Sequence, residues 1–143
     1  VQPIREKYGL TNIQPDEWYP CLKVIDFYHD IEQNMGGMFD LVAIGMNIAK
    51  HIEFPPQVDN MKAAMHMSQE MHYGAWRNGD PGSMDVEYPG DRHIRLIYEN
   101  LPLPVDLVYG LCYGAVKRFA GQSSNIRVQR KEQGNKFIFD LEW

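Results

Sequence analysis

Cysteine is scarce in this 143-residue chain: only Cys21 and Cys112, far apart and in different helical patterns. Two such residues exclude a disulfide framework and point to reduced, partly buried thiols in a cytoplasmic protein. No apolar run approaches the roughly eighteen residues of a membrane-spanning helix, and the start carries no signal-peptide pattern. Positive charge is also in short supply: 14 Lys and Arg stand against 19 Asp and Glu, a net charge of -5. That field does not favour a phosphate-rich partner, so neither nucleic acid nor membrane is expected to bind. The cations that do cluster, Arg127, Arg130, Lys131 and Lys136 after Lys117 and Arg118, read as charge on the solvent side of an edge hairpin, where it discourages strand pairing.

The usual marks of catalysis are missing as well. Gly36-Gly37 and Gly79-x-x-Gly82 match neither phosphate-binding glycine fingerprint. Ser68, Ser83, Ser123 and Ser124 lack the strand–elbow context of a hydrolase nucleophile. His29, His51, His66, His72 and His93 are scattered, and His66 and His72 are not the i, i+4 pair of a zinc helix, so no metal is assigned. Asp26 and Asp30 read as the solvated face of an amphipathic helix. The chain is therefore expected not to be an enzyme.

What is present is an ordinary globular composition, 44% hydrophobic and 23% charged, in a length that makes one domain. Residues 1–19 form an irregular lead-in strapped by Ile4, Tyr8, Leu10 and Ile13, with Asp16 read as a helix cap. Residues 20–143 form the domain. Apolar spacing predicts helices over 21–33, 38–51 and about 58–73, the first ended by Gly36-Gly37 and the second by Pro55-Pro56. A hairpin follows, with strands over 84–88 and 93–98 around a turn at Pro89-Gly90-Asp91. Then come a helix from Pro104 to Gly121 and a second hairpin, 126–130 and 137–141, turning at 132–135. The fold class is α+β: three N-terminal helices, then hairpin–helix–hairpin, giving a four-stranded antiparallel sheet packed against helices. In the fourth helix Asp106 reads as a cap, and Gly110 and Gly114 share a face that admits another backbone, expected to be a strand.

Leu101-Pro102-Leu103-Pro104-Val105-Asp106-Leu107-Val108-Tyr109-Gly110, leading into Gly114-Ala115-Val116-Lys117-Arg118-Phe119, carries a resemblance. With the element order, it resembles the superfamily that unites haem–NO/oxygen-binding (H-NOX) domains, TRAPP-type trafficking subunits and 4-vinyl-reductase or hydrocarbon-binding domains. The resemblance covers roughly residues 20 to 143. It implies an apolar or flat ligand held between helices and a curved sheet, in a sensory input domain joined to a signalling output.

The third helix is rich in methionine, whose flexible thioether suits an adaptable apolar wall. Met46, Met61, Met65, His66, Tyr73 and Trp76 are the expected ligand-binding residues, Tyr73 and Trp76 as part of a lid. In H-NOX domains the axial histidine lies on the helix before the first hairpin, and His66 is a histidine on that element. The Tyr-x-Ser-x-Arg triad that grips haem propionates in those domains is absent here.

The expected function is a sensory or regulatory ligand-binding domain for a small apolar molecule or a tetrapyrrole, acting as a homodimer with an attached or partner output domain. A haem-based gas sensor using His66 and a structural dimerisation module without ligand are the alternatives. No cofactor is assigned, and haem is the one the resemblance admits. The start at Val1 rather than methionine is expected of a piece of a longer protein.

Overall fold

The computed structural model describes residues 1–34, 38–121 and 125–143, except the side chains of residues 38 and 39. The expected stop at Gly36-Gly37 and the residues Ser123 and Ser124 lie outside the described residues. The chain order is α1 (Gln2–Lys7), α2 (Cys21–Asn34), α3 (Met38–His51), α4 (Met61–Gly74), β1 (Ser83–Gly90), β2 (His93–Glu99), α5 (Val105–Phe119), β3 (Arg127–Gln133) and β4 (Lys136–Glu142). The strands make one antiparallel sheet in the order β1-β2-β4-β3, so this is an α+β fold with the hairpin–helix–hairpin read from the sequence.

Several local expectations need correction. The lead-in is not wholly irregular: Gln2–Lys7 is helical, with Pro3 in the first turn where its missing N–H costs nothing. Lys7 pairs with Asp30 of α2, a residue buried rather than on the solvated face expected of it, and Leu10 is buried too. Asp16 caps no helix; it lies in a turn, and α2 starts where the amides of Lys23 and Val24 reach the Pro20 carbonyl. α4 starts later than expected because the Asn60 side chain accepts the Ala63 amide at 3.0 Å and so defines the N-cap. In the first hairpin Tyr88 and Pro89 are absorbed by an irregularity in β1, and the turn falls on Asp91 and Arg92. An edge strand tolerates proline there because that position needs no ladder hydrogen bond.

The sheet obeys the period of two. Ile94, Leu96 and Tyr98 of β2 and Phe139 and Leu141 of β4 face the helices, all at most 8% exposed. Leu96 pairs with Phe139 and Ile94 with Leu141, while the Tyr98 ring meets Phe139 edge-on at 5.8 Å. Against this face α5 lays Val108, Cys112 and Val116, one stripe at helical spacing, and α4 adds Met61, Ala64 and Met65. Each such large side chain, fully buried, contributes about 1.5–3 kcal/mol. On the opposite face Asp140 is held by His93 Nε2 at 2.7 Å and Arg95 Nε at 2.9 Å. Burial alone would raise its pKa, but these two partners outweigh it and hold the carboxyl below the usual range.

The other face of α5 packs on α3, and there the backbones nearly touch. A Cβ at Gly110 would lie 2.2 Å from the Val42 carbonyl oxygen, and one at Gly45 would lie 2.2 Å from that of Leu107. The backbone that the Gly110–Gly114 face admits is therefore a helix, not the strand expected. Asp106, read as a cap, makes no capping bond and instead pairs with Arg130 of β3.

A Gly→Ala change inside an open helix gains about 1 kcal/mol of propensity. At Gly110 the obstacle is a carbonyl that cannot step aside, so Gly110→Ala should destabilise by at least about 3 kcal/mol, the upper end of overpacking costs. Gly74→Ala, with nothing within 4 Å of the new carbon, should be neutral or stabilising. Urea midpoints followed by circular dichroism compare the two.

Candidate functional site

The burial stripe of α4 runs through Met61, Ala64, Met65, Ser68 and His72. From Met65 onward this stripe borders a cavity of about 240 Å³ between α4, α5, the end of α3 and the strands β1 and β2. Its wall is mostly apolar. Met65 and Met71 come from α4, Met84 from β1, Leu96 from β2, and Leu111 and Ala115 from α5, while Phe54 and Trp76 close two sides.

Polar atoms enter this wall at four places. Ser68 already donates to the Ala64 carbonyl at 2.8 Å. His72 stacks edge-on to Tyr98, ring centroids 5.7 Å apart, and its Nε2 meets the Gly82 carbonyl at 3.1 Å. Gly82 is itself required, because its φ is +72° and a Cβ would strike the Glu99 carbonyl oxygen at 2.3 Å. Burial raises Tyr98 well above its ordinary value and pushes the Cys112 thiol up to about 12. Both groups therefore stay protonated and neutral at physiological pH, and Cys112 is a weak donor rather than a nucleophile. Such a site can hold an uncharged, mostly apolar molecule and orient it through one or two hydrogen bonds.

The residues anticipated from the sequence separate into three groups. Met65 and Trp76 line the cavity. Met61 is packed in the core, and Tyr73 does not line the cavity, its hydroxyl instead accepting the Met84 amide at 2.9 Å. Met46 and His66 are elsewhere. Met46 lines a shallow groove between α3 and α5, and the His66 side chain is 71% exposed, 3.7 Å from Glu70 one turn on. Met71, of the same methionine-rich helix as Met65, also lines the cavity as the composition suggests, whereas His72, Tyr98, Cys112 and Met84 were not anticipated. The helical phase carried the signal for one of these: His72 lies seven residues after Met65 and four after Ser68, on the same stripe, while His66 falls next to it on the turned-away side.

No protein-family profile and no curated protein matches the chain. The class defined by fold and cavity is a single-layer antiparallel sheet that leaves a small, mostly apolar space against its helices. Solved structures place it more narrowly: the chain has the fold of the H-NOX domains. One of them, solved to probe haem distortion in the H-NOX family, superposes with a TM-score of 0.69 at 17% identity, over all of this chain and 84% of that one. An oxygen-binding H-NOX domain related to soluble guanylate cyclases, solved as its oxygen complex, gives 0.66 at 17% identity over 99% and 81%. An H-NOX protein from S. oneidensis in the Fe(II)NO state gives 0.67 at 12% identity over 99% and 86%. Among the described residues no helix is long and apolar enough to cross a membrane.

The buried thiol predicts an alkaline limit. Unfolded, Cys112 loses its proton near 9; folded, near 12. Between those values the folded state binds the extra proton, so stability is intact below pH 9 and falls as pH rises, by about 1.4 kcal/mol per unit at most. Urea midpoints from pH 8 to 11 should fall for the wild type and fall less for Cys112→Ala, whatever the cavity-related offset between the two curves.

Proposed function

We propose that the chain is a sensory or regulatory ligand-binding domain rather than an enzyme. Its cavity between α4, α5 and the sheet takes a small, uncharged, largely apolar molecule. The carrying observation is the cavity itself: three methionines around a mostly apolar space where burial keeps the Tyr98 phenol and the Cys112 thiol neutral. Ligand would act on α4, which lines the cavity and also meets β1 and α5. An occupant that favours one placement of this helix by about 1–3 kcal/mol suffices for ordinary coupling to a partner or attached output domain.

Haem-based gas sensing is the second reading. It is favoured by the neighbours, whose names speak of haem, oxygen and nitric oxide ligation, and by the imidazole of His72 on the cavity wall. In that reading His72, not His66, is the axial ligand, and its bond to the Gly82 carbonyl would fix the ring. The residues present do not fit a whole macrocycle in this conformation. The cavity lies below the roughly 300–1,000 Å³ of ordinary ligand clefts, and among the described residues no Lys or Arg lines it to meet propionates. At the spacing of the missing triad, Tyr98 is followed by Asn100 and Pro102 rather than Ser and Arg.

Two measurements separate the readings. Titration with haemin should leave the visible spectrum that of free haemin, while uncharged aromatics or short-chain hydrocarbons raise the melting temperature of the colourless protein. Ala115→Leu, which fills the cavity, should abolish that shift without lowering the starting melting temperature by more than a few degrees. A Soret band lost in His72→Ala but kept in His66→Ala would overturn the small-molecule reading in favour of haem.

A further inference from the structure

Outside the cavity, on the far side of Trp76 and Leu103, lies an open cleft of about 670 Å³ between the 15–19 segment and α2. Its lining differs in kind from that of the inner cavity. Trp18, Tyr19, Tyr28 and Trp76 supply four aromatic rings, and Asp16 and Glu17 supply two carboxylates. Among the described residues no Lys, Arg or His lines it. The Tyr19 hydroxyl accepts the Gln14 amide at 2.9 Å and donates to Glu17 Oε2 at 3.1 Å, which fixes one ring and one carboxylate together without neutralising the charge. Trp18, 52% exposed, is a large apolar surface spent on the rim rather than in the core.

The structure already contains one cation on these rings. Arg77, from the loop after α4, sets its guanidinium 3.6 Å from the centroid of Trp18, the closest cation–ring approach among those described. Arg77 lines the neighbouring recess with Trp18 and Trp76, not the cleft itself. Ring faces attract a cation through their quadrupole, most strongly for tryptophan, and nearby carboxylates add a charge term that salt weakens. The carboxylates repel an anion, and a neutral hydrocarbon would gain from the ring surface alone and nothing from the charge.

We infer that this cleft is a second ligand site, selective for small organic cations of the quaternary or methylated ammonium class, with Trp18, Tyr19 and Trp76 as ring walls and Asp16 and Glu17 as counter-charges. Arg77 is its built-in competitor for the Trp18 face. The site does not depend on what the inner cavity takes.

Choline and its uncharged isostere 3,3-dimethylbutan-1-ol test this, by calorimetric titration of the whole chain in low and high salt. Choline should bind at least tenfold more tightly than the alcohol, and more weakly as salt rises. Trp18→Leu, an exposed position, should weaken choline at least tenfold with the melting temperature unchanged. Glu17→Gln should weaken it severalfold, and Arg77→Gln should tighten it. Equal binding of choline and the alcohol, no binding of either, or choline affinity unchanged in Trp18→Leu would each overturn the inference. None of these outcomes bears on the inner cavity, whose ligands are uncharged and whose test is the Ala115→Leu variant.

Discussion

The close passage of α3 over α5 is the constraint on which the other elements depend. Gly45 on one helix and Gly110 on the other let main chains meet where side chains ordinarily keep helices apart. Because α5 can press so closely on α3, its remaining stripe, Val108, Cys112 and Val116, is free to cover the sheet. One helix thus serves two layers, and α4 must find its place beside it rather than beneath it. The cavity is the space left by that arrangement, bounded by Ala115 and Leu111 on α5 and by Met65 and His72 on α4.

Charge is distributed with the same economy. The cations of the last hairpin, Arg127, Arg130 and Lys131, stand exposed on β3, an edge of the sheet, where they oppose pairing with another strand. Arg130 also reaches back to Asp106 in the first turn of α5. Inside, neutrality is enforced by burial, which keeps the Tyr98 phenol and the Cys112 thiol protonated. Two carboxylates, Asp16 and Glu17, stand instead beside the aromatic rings of the outer cleft.

The element order was legible in the sequence because each element announces itself locally. Alternation in Ile94-x-Leu96-x-Tyr98 marks a strand, Gly134-Asn135 marks a turn, and apolar spacing marks 38–51 as a helix with the bounds it has. What was not legible depends on tertiary distance. The pair Gly110 and Gly114 signals that something comes close, but only the fold says that it is α3. His66 and His72 differ in phase: the family likeness points to the element, while the stripe Met61, Met65, Ser68, His72 selects the face that meets the cavity. Met46 and Met61 look like Met65 in composition, yet one lines a groove elsewhere and the other is core. Part of the cavity wall, Tyr98, Cys112 and Met84 among it, comes from residues whose alternating or helical burial reads simply as core.

The attachment of α4 to β1 has a wider consequence. Gln69 Nε2 donates to the Met84 carbonyl at 2.8 Å, the Tyr73 hydroxyl takes the Met84 amide, and His72 holds the Gly82 carbonyl. These side chains occupy the outward-facing main-chain groups of a terminal strand, standing in for the neighbour that β1 lacks. Helix placement and strand availability are therefore linked: lifting α4 bares the Met84 amide and the carbonyls of Met84 and Gly82, a short stretch of edge at which another extended segment can pair.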